Sequence, residues 1–357
     1  MTARHVLVTG GAGFIGSAIV DQLRALDVQV TVLDNLDVAA HVERPSYLRD
    51  DVRYVWADVR DKAAWQQGLR GVDAVCHQAG KVGLGVDFGD VCDYVTSNDT
   101  GFAVGLSVLH DHHFSGPIVL ASSMVVYGEG RYSCIDHGIV QPLPRREVDL
   151  QAGQFEPRCP RCDGALAPEP IGEDAPLDPR NVYAATKLHQ EHLLNAFARE
   201  HPSRTVSLRY HNVYGPRMPF NTPYAGVASI FRSALEQGVA PHVTEDGQQR
   251  RNFVHVSDVA RANVLALLES DACGAFNIAS QQSLTVGAMA QSLASAMGSL
   301  PNDGRWPVVT GGFRLGDVRH VFASPDKASS ELGFVAAMNP AAGMALFAID
   351  QLRAAVR

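Results

Sequence analysis

The chain opens with an apolar run, a glycine-rich turn, a helix-like stretch and a second apolar run. His5–Thr9 carries Val, Leu and Val in succession, which is typical of a buried parallel strand. Gly10–Gly16 predicts a turn, and apolar residues then recur at helical spacing over Ser17–Leu26. A second strand is predicted over Gln29–Leu33. The order is that of a βαβ unit.

The same alternation of strand and helix patterns continues along the chain. Further strands are predicted at Asp73–His77, Ile118–Ala121 and Thr205–Arg209, with helical patterns between them. Short connections and right-handed crossovers then favour an α/β fold with a doubly wound parallel sheet. Ligands of such sheets bind beyond the carboxyl ends of the strands.

Composition limits the class of protein and of ligand. The 357 residues are 46% hydrophobic and 19% charged, which fits a globular protein with a substantial core. The net charge of −8 gives no electrostatic footprint for nucleic acid or an anionic membrane. The chain shows neither a signal-peptide pattern nor an apolar run long enough to span a bilayer, so we expect a cytoplasmic protein.

The glycine-rich turn has the spacing of a dinucleotide-binding loop. Gly10, Gly13 and Gly16 let backbone approach a diphosphate at a helix N-terminus. Asp34 follows Gly16 by eighteen residues and ends the second strand, where a carboxylate can bind ribose hydroxyls. A carboxylate there repels a 2′-phosphate, which favours NAD over NADP. The alternative is that Asp34 only caps a turn.

Tyr183 and Lys187 are spaced four apart on a predicted helix. They therefore share one helix face, where an ammonium can lower the pKa of a phenol and leave a phenolate base. The alternative is a half-buried tyrosine beside a solvated lysine. Ser122 and Ser123 follow a predicted strand, so their hydroxyls should reach the ligand edge of the sheet or else satisfy turn backbone.

A second group of chemically active residues lies between Ser123 and Tyr183, which are sixty residues apart. The spacing C-x2-H-x21-C-x2-C, which is typical of a four-ligand structural zinc site, is formed by Cys134, His137, Cys159 and Cys162. Residues 129–173 would form this zinc-ribbon-like insertion, and its few large apolar residues mean that metal would supply folding energy. Reduced thiols without metal, or a redox pair of the last two cysteines, are the alternatives.

Taken together, these segments resemble the extended short-chain dehydrogenase/reductase family of NAD-dependent sugar-nucleotide epimerases and dehydratases. The resemblance runs almost end to end. The matching segments are Thr9–Gly16, Asp34–Leu36, Asp58–Asp61, Val75–Gly80, Asn98, Ser122–Ser123, Tyr183–Lys187, Arg209–Pro216, Arg251–Asp258 and Gly311–Arg319. It implies a Rossmann-like NAD domain over 1–205, with residues 245–270 returning to it. A smaller, discontinuous C-terminal α/β domain for the substrate would cover 206–357.

The resemblance also implies roles for individual residues. Ser123, Tyr183 and Lys187 would be catalytic. The cofactor-binding residues would be Gly10, Gly13, Phe14, Ile15, Gly16, Asp34, Asn35, Asp58, Val59, Gln78, Ala79, Gly80, Asn98, Ser122, Tyr183 and Lys187. The substrate-binding residues would be Ser123, Asn212, Arg251, Arg314 and Asp317. Arginine forks suit phosphate, although surface ion pairing is the alternative for each arginine.

The position after the catalytic hydroxyl bears on the reaction. Met124 and Val125 stand where relatives that eliminate water carry an acidic pair, and neither can transfer a proton. This favours a nucleotide-sugar 4-epimerase with tightly bound NAD over a 4,6-dehydratase. A 4-keto-6-deoxyhexose reductase, a UDP-sugar 4-epimerase or decarboxylase, and a non-catalytic NAD-binding scaffold remain alternatives. The Cys-rich insertion most resembles dTDP-L-rhamnose 4-epimerases, which implies a dTDP-6-deoxyhexose substrate.

The helix after Tyr183 has an apolar face that could serve assembly. Leu188, Leu193, Leu194 and Phe197 could be core residues or half of a two-fold helix bundle. The resemblance implies the second arrangement, in a homodimer.

Overall fold

Strands and helices alternate along most of the chain, as the hydrophobic pattern predicts. The computed structural model describes residues 4–38, 40–83, 88–220 and 226–353. Its strands are β1 (His5–Thr9), β2 (Gln29–Asp34), β3 (Arg53–Trp56), β4 (Ala74–His77), β5 (Ile118–Ser123), β6 (Arg131–Cys134), β7 (Gly138–Val140), β8 (Ala167–Glu169), β9 (Thr205–Tyr210), β10 (Asn212–Tyr214), β11 (His242–Val243), β12 (Arg250–His255), β13 (Gly274–Ile278), β14 (Ser283–Thr285) and β15 (Val308–Val309). Its α-helices are α1 (Phe14–Ala25), α2 (Lys62–Gly68), α3 (Val91–Tyr94), α4 (Gly101–Asp111), α5 (Glu147–Gln151), α6 (Val182–Glu200), α7 (Val227–Glu236), α8 (Val256–Val264), α9 (Val286–Ala296), α10 (Asp326–Glu331) and α11 (Pro340–Phe347).

The main sheet has seven strands in the order β13-β9-β5-β4-β1-β2-β3, and all of its pairings are parallel. Successive side chains of a strand point to opposite faces, so each strand supplies two cores. In β1, Val6 and Val8 join one apolar cluster, whereas Leu7 joins the cluster on the other face. The predicted Rossmann-like doubly wound α/β fold is confirmed.

The strand order reverses between β1 and β4. From β1 the chain moves outward to β2 and β3, and then returns to place β4 on the other side of β1. Thr9 and His77 are register partners at the carboxyl ends of these two strands. Such a switch point opens a crevice beyond the strand ends, which is where ligands of this fold bind.

The later part of the chain builds a smaller α/β unit beside that crevice. β10, β12 and β14 form a three-stranded sheet, while β11 pairs with β15. Side chains of α7, α9 and α11 pack together in a separate apolar cluster that includes Phe231, Met289 and Phe347. The strand β13 returns to the main sheet, so the returning part of the chain reaches beyond the expected 245–270.

The insertion before α6 has its own sheet, with β6 in the middle between β7 and β8 and both pairings antiparallel. Its apolar cluster consists of Tyr132, Cys134, Val140, Cys159 and Leu166. Two of these five residues are the expected metal ligands. So small a core supports the expectation that the insertion requires a further stabilising element.

The apolar face of α6 turns toward the chain's own interior. Leu194 and Phe197 are buried in the same cluster as residues of the main sheet, and Leu193 packs against that cluster. Leu188 packs against another internal cluster. Leu194 and Phe197 are therefore core residues, whereas Leu188 and Leu193 are only partly buried. None of the helices in the described ranges is both long enough and apolar enough to cross a membrane.

Candidate functional site

The glycine-rich turn joins β1 to α1 and lies against the end of β4. Gly10 has φ +68°, and a Cβ at this position would lie 2.7 Å from the Ala79 nitrogen. A Cβ on Gly16 would collide with the Gly10 carbonyl oxygen. Gly13 is the N-cap of α1 and provides no side-chain cap. Because α1 begins at Phe14, the N–H groups of Phe14 and Ile15 lie in its first turn, where a diphosphate could bind.

Asp34 ends β2 beside this turn. Its carboxylate accepts hydrogen bonds from the Ala12 N–H at 3.0 Å and the Leu36 N–H at 2.8 Å. The Asn35 amide donates to Asp58, which follows β3. Asp34 therefore does form a turn, and each carboxylate oxygen retains the capacity to accept a further bond, as the predicted ribose contact requires.

The residues that follow β4 are bonded largely to the protein itself. Gln78 donates to Asn263 at 3.1 Å. The Asn98 side chain donates to the Lys81 carbonyl and to the Thr186 hydroxyl, both at 3.0 Å. Asn98 therefore ties the loop after β4 to α6, and its contacts in the described structure are structural.

Ser123, Tyr183 and Lys187 come together at the carboxyl edge of the main sheet. Ser123 ends β5, while Tyr183 and Lys187 share one face of the first turns of α6. The Ser123 hydroxyl lies near enough to the Tyr183 phenol to act on its pKa, which it lowers. The Lys187 ammonium donates to the Ala121 carbonyl at 3.0 Å and to Gln190 at 3.1 Å. A hydroxyl, a phenol and a buried cation thus lie in one place.

Burial shifts the proton affinity of both ionisable groups in this trio. It raises the pKa of Tyr183 to about 12, against the opposing hydrogen bond from Ser123. Burial also lowers the pKa of Lys187 to about 8, against the nearby carboxylates of Asp99 and Glu191. The expectation that Lys187 brings the phenol pKa down is not met in the protein alone. The physical reason is that its Nζ points to the Ala121 carbonyl, 5.9 Å from the centre of the Tyr183 ring.

Gly80, in the loop after β4, also lies close to Lys187. A Cβ built on Gly80 would lie 3.3 Å from the Lys187 Nζ and 3.0 Å from the Asn98 amide oxygen. A side chain at position 80 would therefore crowd the ammonium. The absence of a side chain at position 80 therefore lets the loop after β4 pass close to Lys187.

Ser122 faces away from Ser123. Its hydroxyl donates to Glu191, and Glu191 forms a buried ion pair with Arg209 at 2.8 Å. Arg209 in turn donates to the Tyr127 hydroxyl. Ser122 is therefore a buried strand residue and not the turn residue that was expected, and its hydroxyl is already engaged by α6.

Four metal-ligand side chains converge in the insertion. Cys134 and His137 lie on the turn from β6 to β7, and Cys159 and Cys162 lie on a second tight turn. Their ligand atoms all lie within 4.8 Å of one another. The Cys134 sulfur is 3.4 Å from His137 Nδ1 and 3.7 Å from the Cys162 sulfur. Ligands of tetrahedral zinc are about 3.3 to 3.8 Å apart, so this donor set fits zinc.

Apart from Ser123 on β5, the expected substrate residues lie on three separate segments. Asn212 donates to the Asn252 carbonyl at 3.1 Å, which joins β10 to β12. Arg251 lies on β12, and its guanidinium donates to the backbone carbonyls of Val318 and Arg319. Arg314 and Asp317 are exposed on the segment that leads to these carbonyls. The fold thus brings Arg251 to the loop that carries the other two residues.

Sequence reasoning overlooked the charged residues beneath this loop. Arg319 is 1% exposed and contacts Glu156, Glu245 and Asp246, while Arg145 forms a buried ion pair with Glu245. Arg319 is the last residue of the Gly311–Arg319 segment, whose resemblance to the family's substrate loop was the available signal. Arg145 and Glu156 lie in the insertion, and no motif distinguishes them from solvated charges.

The fold and the site define a class: an α/β protein with a dinucleotide-type glycine loop and a Ser-Tyr-Lys trio. Residues 6–158 and 163–279 match the NAD dependent epimerase/dehydratase family. The chain belongs to this family, and it is an enzyme of the extended short-chain dehydrogenase/reductase type.

Individual relatives are similar over nearly the whole chain. A dTDP-L-rhamnose 4-epimerase of Burkholderia thailandensis is 35% identical over 93% of this chain and 90% of its own length. A UDP-glucose 4-epimerase of Thermus thermophilus, solved with NAD, superposes with a TM-score of 0.75 at 28% identity, covering 96% of this chain and 97% of its own. A UDP-N-acetylglucosamine 4-epimerase of Methanobrevibacter ruminantium gives a TM-score of 0.76 at 27% identity, covering 98% of both chains.

Proposed function

We propose that this enzyme is an NAD-dependent nucleotide-sugar 4-epimerase. The observation that carries the proposal is the convergence of Ser123, Tyr183 and Lys187 beside the glycine-rich turn. Met124 and Val125 directly follow the serine, so that position offers no acid or base for eliminating water. A 4-epimerase needs no additional acid or base at this position.

The proposed substrate is a dTDP-6-deoxyhexose such as dTDP-L-rhamnose. This is supported by the 35% identity to the Burkholderia thailandensis enzyme. Arg251 and Arg314 would neutralise the diphosphate, and Asp317 would accept hydrogen bonds from the nucleotide's ribose. Asn212, at the start of β10, would contact the same end of the substrate.

NAD fits the residues at the switch point. The uncapped N-terminus of α1 would hold its diphosphate, Asp34 would bind the adenosine ribose, and Lys187 would bind the nicotinamide ribose. Bound NAD supplies the hydride acceptor and a positive charge near the phenol.

Proton transfer is assigned to Tyr183. Its phenolate would take the proton from the sugar C4 hydroxyl while Ser123 shares the hydrogen bond. Lys187 stabilises the phenolate electrostatically, since a pKa of about 8 leaves it mostly protonated at neutral pH. The C4 hydride would pass to bound NAD as the proton leaves, and the 4-keto sugar so formed would need room to turn about its diphosphate linkage before the hydride returns to its other face. Tyr183 then gives the proton back.

The purified enzyme should be tested with nucleotide sugars and no added cofactor. We expect dTDP-L-rhamnose to equilibrate with dTDP-6-deoxy-L-talose and UDP-glucose to react more slowly. Proton NMR monitors both reactions. Turnover that requires stoichiometric reduced cofactor would instead indicate a 4-ketoreductase. Absence of turnover with every nucleotide sugar, despite bound NAD, would support a non-catalytic scaffold.

Two further assignments accompany this function. We propose a structural zinc ion on Cys134, His137, Cys159 and Cys162, because all four ligand positions are filled by protein.

We also propose a homodimer, which must use surfaces other than the buried Leu194 and Phe197. Light scattering that gives the mass of a single 38.4 kDa chain would contradict the dimer.

A further inference from the structure

The insertion is bonded directly to the loop that ends at His320. The guanidinium of Arg319 lies between them and contacts three carboxylates. These are Glu156 of the insertion at 2.7 Å, Glu245 at 2.8 Å and Asp246 at 2.7 Å. Because Arg319 is 1% exposed, its charge depends on these partners and not on water.

The backbone of this loop is fixed by the same insertion. The Arg319 N–H donates to Glu129, and the His320 N–H donates to the Tyr132 hydroxyl at 3.0 Å. Gly130 passes so close that a Cβ there would collide with the His320 carbonyl oxygen. The insertion and the loop therefore pack backbone against backbone, with few alternative arrangements.

A second arginine, Arg145 of the insertion, contacts the loop just before Arg319. Arg145 donates to the Asp317 carbonyl at 2.7 Å and pairs with Glu245 at 2.8 Å, and both side chains of that ion pair are nearly fully buried. Asp317 is one of the residues assigned to the substrate. Its backbone position is thus set by the insertion.

The loop in turn orients Arg251. One Arg251 nitrogen donates to the Arg319 carbonyl at 2.7 Å, and the other donates to the Val318 carbonyl at 2.8 Å. Two bonds from a planar guanidinium fix its direction as well as its place. A shift of the loop would therefore move this cation.

We propose that Glu156 and Arg145 of the insertion are positioning residues for the nucleoside diphosphate end of the substrate. They hold the Asp317–Arg319 backbone, which orients Arg251 and Asp317 toward the ligand. The insertion thereby acts on substrate affinity without touching the reacting sugar carbon. This inference rests on the proposed function, in which Arg251 and Asp317 bind the nucleotide.

The test compares Glu156→Gln with Glu147→Gln in the full-length, metal-loaded protein. The second is a matched control, because Glu147 is an exposed carboxylate of the same insertion that bonds to Gln151 within α5. Binding of dTDP and of UDP is measured by calorimetry, and kcat and KM are measured with dTDP-L-rhamnose. The diphosphate that binds the wild type more tightly serves as the probe.

Glu156→Gln should raise the probe's Kd and the substrate's KM together by about fivefold, since a charged partner is lost from a connected network. We expect kcat to stay within about twofold, because Tyr183 is not moved. Glu147→Gln should match the wild type, and zinc content should be unchanged in both variants. A purely structural role would lower the amount of active enzyme, and hence apparent kcat, with KM unchanged.

A second variant keeps the inference testable if Glu156→Gln does not fold. Arg145→Lys retains a cation near Glu245 but loses the fork that reaches the Asp317 carbonyl, and it should show the same rise in Kd and KM. Unchanged Kd in the folded variants, or an equal rise in Glu147→Gln, overturns the positioning role. If the wild type binds neither diphosphate, the proposed function fails and this inference fails with it.

Discussion

Tyr183 lies in a site whose burial opposes the ionisation that its proposed role requires. With its pKa raised to about 12, the phenol is neutral near neutral pH in the protein alone. Within the protein alone, the Ser123 hydroxyl favours the phenolate. Positive charge arriving with the cofactor acts in the same direction. The base is therefore expected to form when the site is filled.

Tyr183→Phe should lower kcat at least about 1,000-fold while NAD stays bound, because the ring is retained and only the proton-transfer group is lost. Steady-state rates and the absorbance of bound cofactor measure the two effects. Tyr54→Phe is the matched control: that phenol lies on β3 and accepts the Arg49 N–H. A Tyr183→Phe enzyme with a near-normal rate would refute the assignment.

At the scale of elements, the insertion combines a three-stranded sheet with two ligand-bearing turns. Cys134 and Cys159 are buried, so two of the four ligands also belong to the small apolar core. The Cys159 carbonyl accepts the Asp163 N–H at 2.9 Å, which closes the second turn around its two thiols. Loss of the proposed zinc ion would therefore loosen both the turn and the core.

Cys159→Ser should reduce bound zinc from about one equivalent to less than about a tenth, because a hydroxyl is a poor replacement for a thiolate ligand. It should also raise KM for the nucleotide sugar, since the insertion contacts the 317–320 loop. Elemental analysis and kinetics measure these effects. Cys273→Ser, at an exposed cysteine elsewhere, should leave both unchanged. Wild-type protein purified without chelator yet lacking zinc would contradict the site.

Across the whole protein, some features could be predicted from the sequence and others could not. Periodicity predicts β1, β2 and the parallel sheet, because burial on both faces leaves continuous apolar runs. Spacing predicts the Tyr183–Lys187 face and the four metal-ligand side chains, because both depend on local geometry. The Arg319 cluster could not be predicted. Its three carboxylates come from residues 73, 74 and 163 positions away in the chain, where pattern alone cannot distinguish buried charges from solvated ones.

A buried histidine at the end of β4 contributes to the acid stability of the whole fold. His77 is fully buried at the end of β4, its Nδ1 bonds to the Thr9 hydroxyl at 2.8 Å, and burial lowers its pKa to about 3, with the Lys187 charge acting in the same direction. The unfolded chain takes up a proton near the ordinary pKa of 6.5, whereas the folded chain stays neutral. The stability from this group is therefore complete above about pH 6.5 and is lost as pH falls toward about 3. At about pH 5 the loss approaches about 2 kcal/mol.

His77→Asn keeps a polar partner for the Thr9 hydroxyl but cannot titrate in this range. It should lower the thermal midpoint at about pH 7, where the lost ring packing against Phe102 dominates. Between about pH 7 and about pH 5, however, its midpoint should fall less than that of the wild type. His112→Asn, the same change at an exposed position, should follow the wild-type pH dependence. Equal losses in the wild type and His77→Asn would show that acid sensitivity arises from other groups.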